Sequence, residues 1–164
     1  MEITHQQAKD LAVFGEVELG NNYKLRFTEQ QDSDTSINDY DYLGTVKHIW
    51  RGQEQEPRPE GFDGLAEKIS THRETYWWQP PTDLRQGWHN YEHKEHLRKE
   101  VRDILEYGFF TYTIELCYAT DAYGNDVVVD YACIGGMHPF MDDDDKTEYI
   151  KDLAHEIKIK SLVA

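Results

Sequence analysis

Three histidines in one segment come closest to a metal site by residue type and spacing. His89, His93 and His96 stand at positions i, i+4 and i+7 of a segment with helical periodicity. Zinc sites use histidine pairs at such spacing, with a third ligand supplied by the fold. Three ligands on one helix cannot all reach one ion, since His89 and His96 are about 10 Å apart along the axis. We therefore expect no cofactor; the alternative is zinc held by one pair with a distant carboxylate or His48.

Two groups of aspartates are candidates for binding a basic partner. The first lies in a polar stretch and the second is the run DDDDK, which together comprise Asp32, Asp34, Asp39, Asp41, Asp142, Asp143, Asp144 and Asp145. The run lacks the spaced ligands, central glycine and terminal glutamate of an EF-hand, so calcium binding is not expected. At the start of a helix, four carboxylates also match the helix dipole, and polar-loop acids are often simply solvated.

No motif of an established enzyme class is present. Gly135 and Gly136 open no phosphate-binding loop, and the chain has no Gly-x-Ser-x-Gly turn. Cys117 and Cys133 lack activating neighbours and lie in apolar, strand-like runs. They are expected to be small buried hydrophobes, with a cross-strand disulfide as the alternative. The sequence thus favours a protein that is not an enzyme.

The balance of acidic and basic residues limits the kinds of partner that the protein can bind. The chain has 164 residues with 32 acidic and 17 basic side chains, a net charge of −15. A polyanion repels nucleic acid and anionic membranes and attracts basic protein surfaces. No apolar run approaches the ~20 residues of a membrane span, and the first residues do not read as a signal peptide. We expect a soluble cytoplasmic protein with a basic protein partner, no direct nucleic acid and no membrane.

The sequence of the N-terminal half predicts short helices and strands. A helix over residues 4–14 should end at Gly15, followed by a hairpin over residues 16–27 and a strand over residues 42–50. Asp63 is expected to cap a short helix that buries Leu65 and Ile69. An aromatic cluster in the connection between two helices should plug the edge of the core, namely Tyr76, Trp77, Trp78 and Trp88.

The C-terminal half shows the strongest periodicity. A helix is predicted over residues 90–107, a hairpin over residues 109–120 and 127–136, and a last helix over residues 144–160. Alternation in the hairpin predicts one buried face, formed by Phe110, Tyr112, Ile114, Leu116, Val129 and Tyr131. The fold class is therefore α+β: one domain over residues 1–164, with an antiparallel sheet of four or five strands and both long helices on one face.

Three blocks carry a resemblance to a family. RPEGFDG (58–64), WWQPPTDL (77–84) and the stretch from Tyr107 to Met137 resemble small uncharacterised proteins of tailed-phage genomes. The resemblance brings no catalytic residues. It implies an accessory role, in which such proteins act on host proteins or host defence systems, and acidic ones sometimes imitate DNA. The seventeen basic residues of this chain argue against the hypothesis that it imitates DNA.

The leading hypothesis is a non-enzymatic accessory protein that binds and inhibits a host protein through an acidic face. The host protein would be one of defence or of nucleic-acid binding. Two alternatives remain open: a small metal-binding protein or enzyme centred on the histidine-rich helix, and a structural component of a virion.

Overall fold

The computed structural model describes residues 1–53, 55–81, 91–119 and 125–157. Its helices are α1 (His5–Phe14), α2 (Tyr91–Tyr107) and α3 (Asp143–Glu156). Its strands are β1 (Glu16–Gly20), β2 (Tyr23–Asp32), β3 (Thr45–Ile49), β4 (Glu67–Ser70), β5 (Thr75–Gln79), β6 (Phe109–Ala119) and β7 (Asp126–Met137). None of the described helices is long and apolar enough to cross a membrane.

The α+β class is confirmed, with a four-stranded antiparallel sheet in the order β1-β2-β6-β7. The sequence did not anticipate a second sheet of three strands, in the order β3-β5-β4. The chain divides into two compact units, which we call the first unit (Met1–Asp32 with Phe110–Ala164) and the second unit (Ser33–Phe109). Each has its own apolar core.

In the first unit, α1 and α3 pack on the four-stranded sheet. Thr4 and Gln7 form an N-terminal capping box on α1, and Gly15 ends the helix as predicted, with a left-handed backbone. The predicted hairpin is also present, with Lys24 of β2 paired to Glu16 of β1 at 3.2 Å. The core joins both helices to the inner face of the sheet, through Leu11, Leu25, Phe27, Tyr112, Ile114, Leu116, Ile150 and Leu153 among others.

The predicted face of β6 is confirmed, but that of β7 is wrong. Ile114 and Leu116 are fully buried, whereas Val129 is 40% and Tyr131 is 65% exposed. The register pairs Tyr131 with Glu115 instead of an inward-facing residue, and Val129 is the extra residue where the register shifts between Leu116 and Cys117. Ala132 therefore packs in the core opposite Ile114. Phe110 is partly buried against the same core.

In the second unit, α2 packs on the three-stranded sheet. Val101 and Ile104 of α2 share a core with Ile69 of β4 and Trp78 of β5. The Trp78 indole N–H donates to the carbonyl of Leu43 at 2.8 Å, which satisfies its polar atom in the core. The chain passes so close here that a Cβ on Gly44 would lie 2.2 Å from the carbonyl oxygen of Gln79. The expected core-plug role is thus confirmed for Trp78, while Trp88 lies outside the described residues.

Two local predictions in this unit are wrong. The segment after Asp63 forms strand β4 instead of a helix, and Leu65 is exposed. The aromatic segment is not a connection between helices but β5, the central strand of its sheet. Ile69 pairs with Tyr76 across these strands, and a β-branched residue beside an aromatic one suits a sheet. Tertiary pairing has outweighed the local helix signal.

The cysteines follow the prediction in part. Cys117 is buried, and burial raises the pKa of its thiol. Cys133 is exposed, contrary to expectation, because it lies on the outer side of β7 opposite Thr113. Both thiols are free, so the cross-strand disulfide is not formed.

Candidate functional site

The loop aspartates do not form one uniform acidic patch. Asp32 ends β2, is partly buried, and accepts a hydrogen bond from the backbone N–H of Gly136 at 3.0 Å. Asp39 accepts from the backbone N–H of Ser36 at 2.9 Å and so caps a short helical turn. Asp34 and Asp41 are exposed. Half of the predicted loop site therefore has a structural role.

The aspartate run divides in the same way. Asp142 is the N-cap of α3 and accepts from the backbone N–H of Asp145 at 2.8 Å. Asp143, Asp144 and Asp145 occupy the first turn and are exposed. Their charges match the positive end of the helix dipole. These three acids therefore stabilise the helix whether or not a partner binds them.

The rest of α3 adds acids that helix stability does not explain. Glu148, Asp152 and Glu156 are exposed and continue from Asp144 at intervals of four residues. This spacing places four carboxylates along one side of the helix, about 6 Å apart. We call Asp144, Glu148, Asp152 and Glu156 the acidic stripe. Its last two members lie towards the negative end of the dipole, where a carboxylate is unfavourable.

The basic residues of α3 neutralise little of the negative charge of the acidic stripe. Lys146 is paired with Glu29 of β2 at 2.6 Å, so its charge is used within the first unit. Lys151 approaches Glu148 at 3.8 Å in an exposed pair, which contributes little in water. The opposite side of the helix is apolar, with Ile150 and Leu153 in the core. The stripe therefore presents charge of mainly one sign.

The histidines do not converge on a metal site in the described part of the chain. His93 and His96 are exposed on α2, and His89 lies outside the described residues. His48 lies on β3, where its Nε2 approaches a carboxylate oxygen of Glu74 at 3.6 Å. Among the described residues, no three His, Cys, Asp or Glu side chains are placed to hold an ion. The zinc hypothesis stays a prediction.

The second unit has a cleft that the sequence did not reveal. It has a volume of about 740 Å³ and lies where β3 ends and β5 begins. His48, Trp50, Arg51, Arg73 and Glu74 are among its lining residues. A signal was present in the sequence, since Trp50 ends the predicted strand over residues 42–50 and Arg51 directly follows it. What was missing was the strand pairing that sets Ile49 opposite Thr75 and so brings the two ends together.

Aromatic rings and one carboxylate contact His48, which is one of the residues that line the cleft. The His48 ring contacts those of Trp50 and Tyr76 edge to face, at centroid distances of 4.6 and 5.2 Å. The Tyr76 hydroxyl donates to Glu74 at 2.5 Å. Burial, with this hydrogen bond, raises the pKa of Tyr76, so the hydroxyl stays protonated at neutral pH.

No family model, no curated protein and no solved structure matches the chain.

Proposed function

We propose that the protein is a non-enzymatic accessory protein whose acidic stripe binds a basic surface of a host protein and inhibits it. The observation that supports this most is the position of Asp152 and Glu156. Both are exposed acids where the helix dipole disfavours negative charge. Acids that weaken their own helix are better explained by a partner than by stability.

The distribution of charge supports the same proposal. The first unit contains 17 acidic and 7 basic residues, while the second contains 15 and 10. The first unit thus carries two thirds of the net charge. A field of one sign speeds association with a basic partner by ~10- to 1,000-fold and weakens as salt rises. The context of host inhibition comes from the resemblance to tailed-phage proteins, and defence or nucleic-acid-binding proteins are the expected targets.

A charge-matched pair of variants tests this function. The stripe variant carries Asp144→Asn, Glu148→Gln, Asp152→Asn and Glu156→Gln. The control variant removes four exposed acids outside α3 and outside the predicted loop site through Glu18→Gln, Glu56→Gln, Glu60→Gln and Glu95→Gln. Both raise the net charge by the same amount, so only the position of the acids differs.

Each protein is immobilised, exposed to bacterial lysate at low and high salt, and its retained proteins are identified by mass spectrometry. We expect a basic protein that the wild type and the control variant retain at low salt and the stripe variant does not. Association of the purified pair should slow by about tenfold or more in the stripe variant, because such charges affect association more than dissociation. Equal loss in both variants would show non-specific polyanion binding. Unchanged binding and salt dependence in both would show that the acids serve solubility alone.

A further inference from the structure

The cleft of the second unit contains two arginines whose charges are not used elsewhere in the described chain. Arg51 and Arg73 are both exposed, and neither makes an ion pair with a described residue. By contrast, Arg26 and Arg98 are paired with Glu115 and Glu67. In a chain with about two acids for each base, two such guanidinium groups lining one cleft are unusual. Arginine is suited to phosphate because its planar donors bind two oxygens at once.

Both arginines are held on ordered turns. Arg51 lies in a turn closed by the backbone N–H of Gln53, which donates to the carbonyl of Trp50 at 3.0 Å. Arg73 lies in the tight connection between β4 and β5, where its backbone N–H donates to the Thr71 hydroxyl at 3.3 Å. Such preorganisation lowers the entropy cost of binding a ligand.

The second of these turns is also anchored to helix α2. His72 contacts Glu106 twice, through its backbone N–H at 2.9 Å and its ring at 2.6 Å. The backbone contact lowers the pKa of Glu106, which therefore stays ionised at neutral pH. The position of Arg73 is thus fixed by two elements of the fold.

Beside the arginines, the cleft offers a surface for a flat ring. Trp50 is 68% exposed, although its indole contacts the His48 ring in a T-shaped arrangement. Exposed aromatic side chains such as tryptophan are the platforms on which planar bases stack in nucleic-acid-binding proteins. Glu74 and His48 supply an acceptor and a ring nitrogen for hydroxyl or amino groups of the same ligand. The volume lies within the usual range for small-molecule sites of about 300–1,000 Å³.

From this geometry we propose that the cleft binds a small ligand in which a planar ring is joined to a phosphate, as in a nucleoside monophosphate. The phosphate contacts Arg51 and Arg73, and the ring stacks on Trp50. A nucleic-acid strand is disfavoured because the net charge of −15 repels a polyanion. A basic peptide is disfavoured because two arginines outnumber Glu74 in the lining. This site is independent of the acidic stripe.

Calorimetric titration of the whole chain tests the proposal with three probes: adenosine monophosphate, adenosine and inorganic phosphate. We expect the monophosphate to bind about tenfold or more tightly than either of the others. The variant with Arg51→Gln and Arg73→Gln should lose that advantage and still bind adenosine. Trp50→Ala should weaken both adenosine and its monophosphate. All three positions are exposed, so the fold should tolerate these changes.

The matched control is the variant with Arg58→Gln and Lys99→Gln, which removes two exposed charges of the same unit away from the cleft lining. It should bind like the wild type. In NMR spectra, the indole N–H of Trp50 should shift with the monophosphate, while that of the buried Trp78 should not. The proposal would be overturned if the control variant lost as much affinity for the monophosphate as the Arg51→Gln, Arg73→Gln variant. It would also be overturned if inorganic phosphate bound as tightly as the monophosphate, or if the monophosphate showed no saturable binding at about 10 mM.

Discussion

At the scale of single residues, burial separates side chains that the sequence pattern groups together. The alternating pattern predicts both Leu116 and Val129 in the core. Leu116 is fully buried against the helices, whereas Val129 sits at the bulge of β7 and is exposed. The two positions therefore differ in what a truncation costs.

Leu116→Ala should lower the free energy of unfolding by about 2–5 kcal/mol, since it removes buried methyl groups and leaves a cavity. Val129→Ala is the matched truncation at an exposed site, and it should change the free energy of unfolding by less than about 1 kcal/mol. Urea unfolding followed by circular dichroism measures both. Similar costs for the two variants would mean that the register next to the bulge is different.

Tyr112 gives a residue-scale prediction for alkaline pH. Burial, with the nearby Glu29 carboxylate, raises the pKa of Tyr112 from 10.0 to about 12. The folded state keeps its phenol proton where the unfolded state has lost it, so stability must fall as pH rises from 10 to 12. Midway between the two pKa values the slope for this one group should be about 1 kcal/mol per pH unit, below the limit of about 1.4 for one whole proton. Its hydroxyl also contacts the Met141 sulfur at 3.8 Å.

Tyr112→Phe should therefore flatten the fall in stability above pH 10, as measured by urea unfolding at stepped pH. Tyr131→Phe alters an exposed tyrosine of the same unit and should keep the wild-type slope. An unchanged slope in Tyr112→Phe would show that Tyr112 ionises equally in both states.

At the scale of elements, α3 combines acids with two different roles. Asp142 binds a backbone N–H that the helix itself leaves unsatisfied. Asp143, Asp144 and Asp145 interact with the helix end mainly through the dipole. The sequence shows one uniform run, but only the first position has cap geometry.

Asp142→Ala should destabilise the first unit by about 1 kcal/mol, within the usual range for the loss of an N-cap. Asp142→Asn should restore most of that stability, because an asparagine oxygen accepts the same hydrogen bond. Asp144→Ala should cost less than Asp142→Ala. Thermal unfolding of the three variants measures the order, and an equal cost for Asp142→Asn and Asp142→Ala would exclude a capping role.

At the scale of the whole molecule, the chain has two cores, whereas the sequence predicts one domain. All four tryptophans, including Trp50, Trp77 and Trp78, belong to the second unit. Tryptophan fluorescence therefore reports unfolding of the second unit only. Leu116 belongs to the core of the first unit. Because the tryptophans and Leu116 belong to different units, fluorescence can show whether the two units unfold together.

For a single cooperative domain, Leu116→Ala should lower the thermal midpoint seen by fluorescence as much as the midpoint seen by circular dichroism. Ile69→Ala, in the second core, should likewise lower both. If Leu116→Ala left the thermal midpoint measured by fluorescence unchanged, the two units would unfold independently, and the single-domain prediction would be refuted.

Local sequence determined the elements whose signals are complete within a few residues. The cap and the terminal glycine of α1, the β1–β2 hairpin and the inward face of β6 all follow from spacing and turn chemistry. Periodicity also predicted α2 and α3 to within a few residues at the ends that the structure describes. The acidic composition by itself limits the classes of partner, because a net charge of −15 repels other polyanions.

Tertiary structure decided what depends on residues far apart in the chain. Segment 67–70 is a strand because β5 pairs with it, and Val129 is exposed because a bulge, invisible in the pattern, shifts β7. Likewise, Arg51 and Arg73 lie 22 positions apart, and only the pairing of β3 with β5 places both in one cleft. Propensity and periodicity act over a few residues, whereas pairing and burial are set by contacts between distant segments.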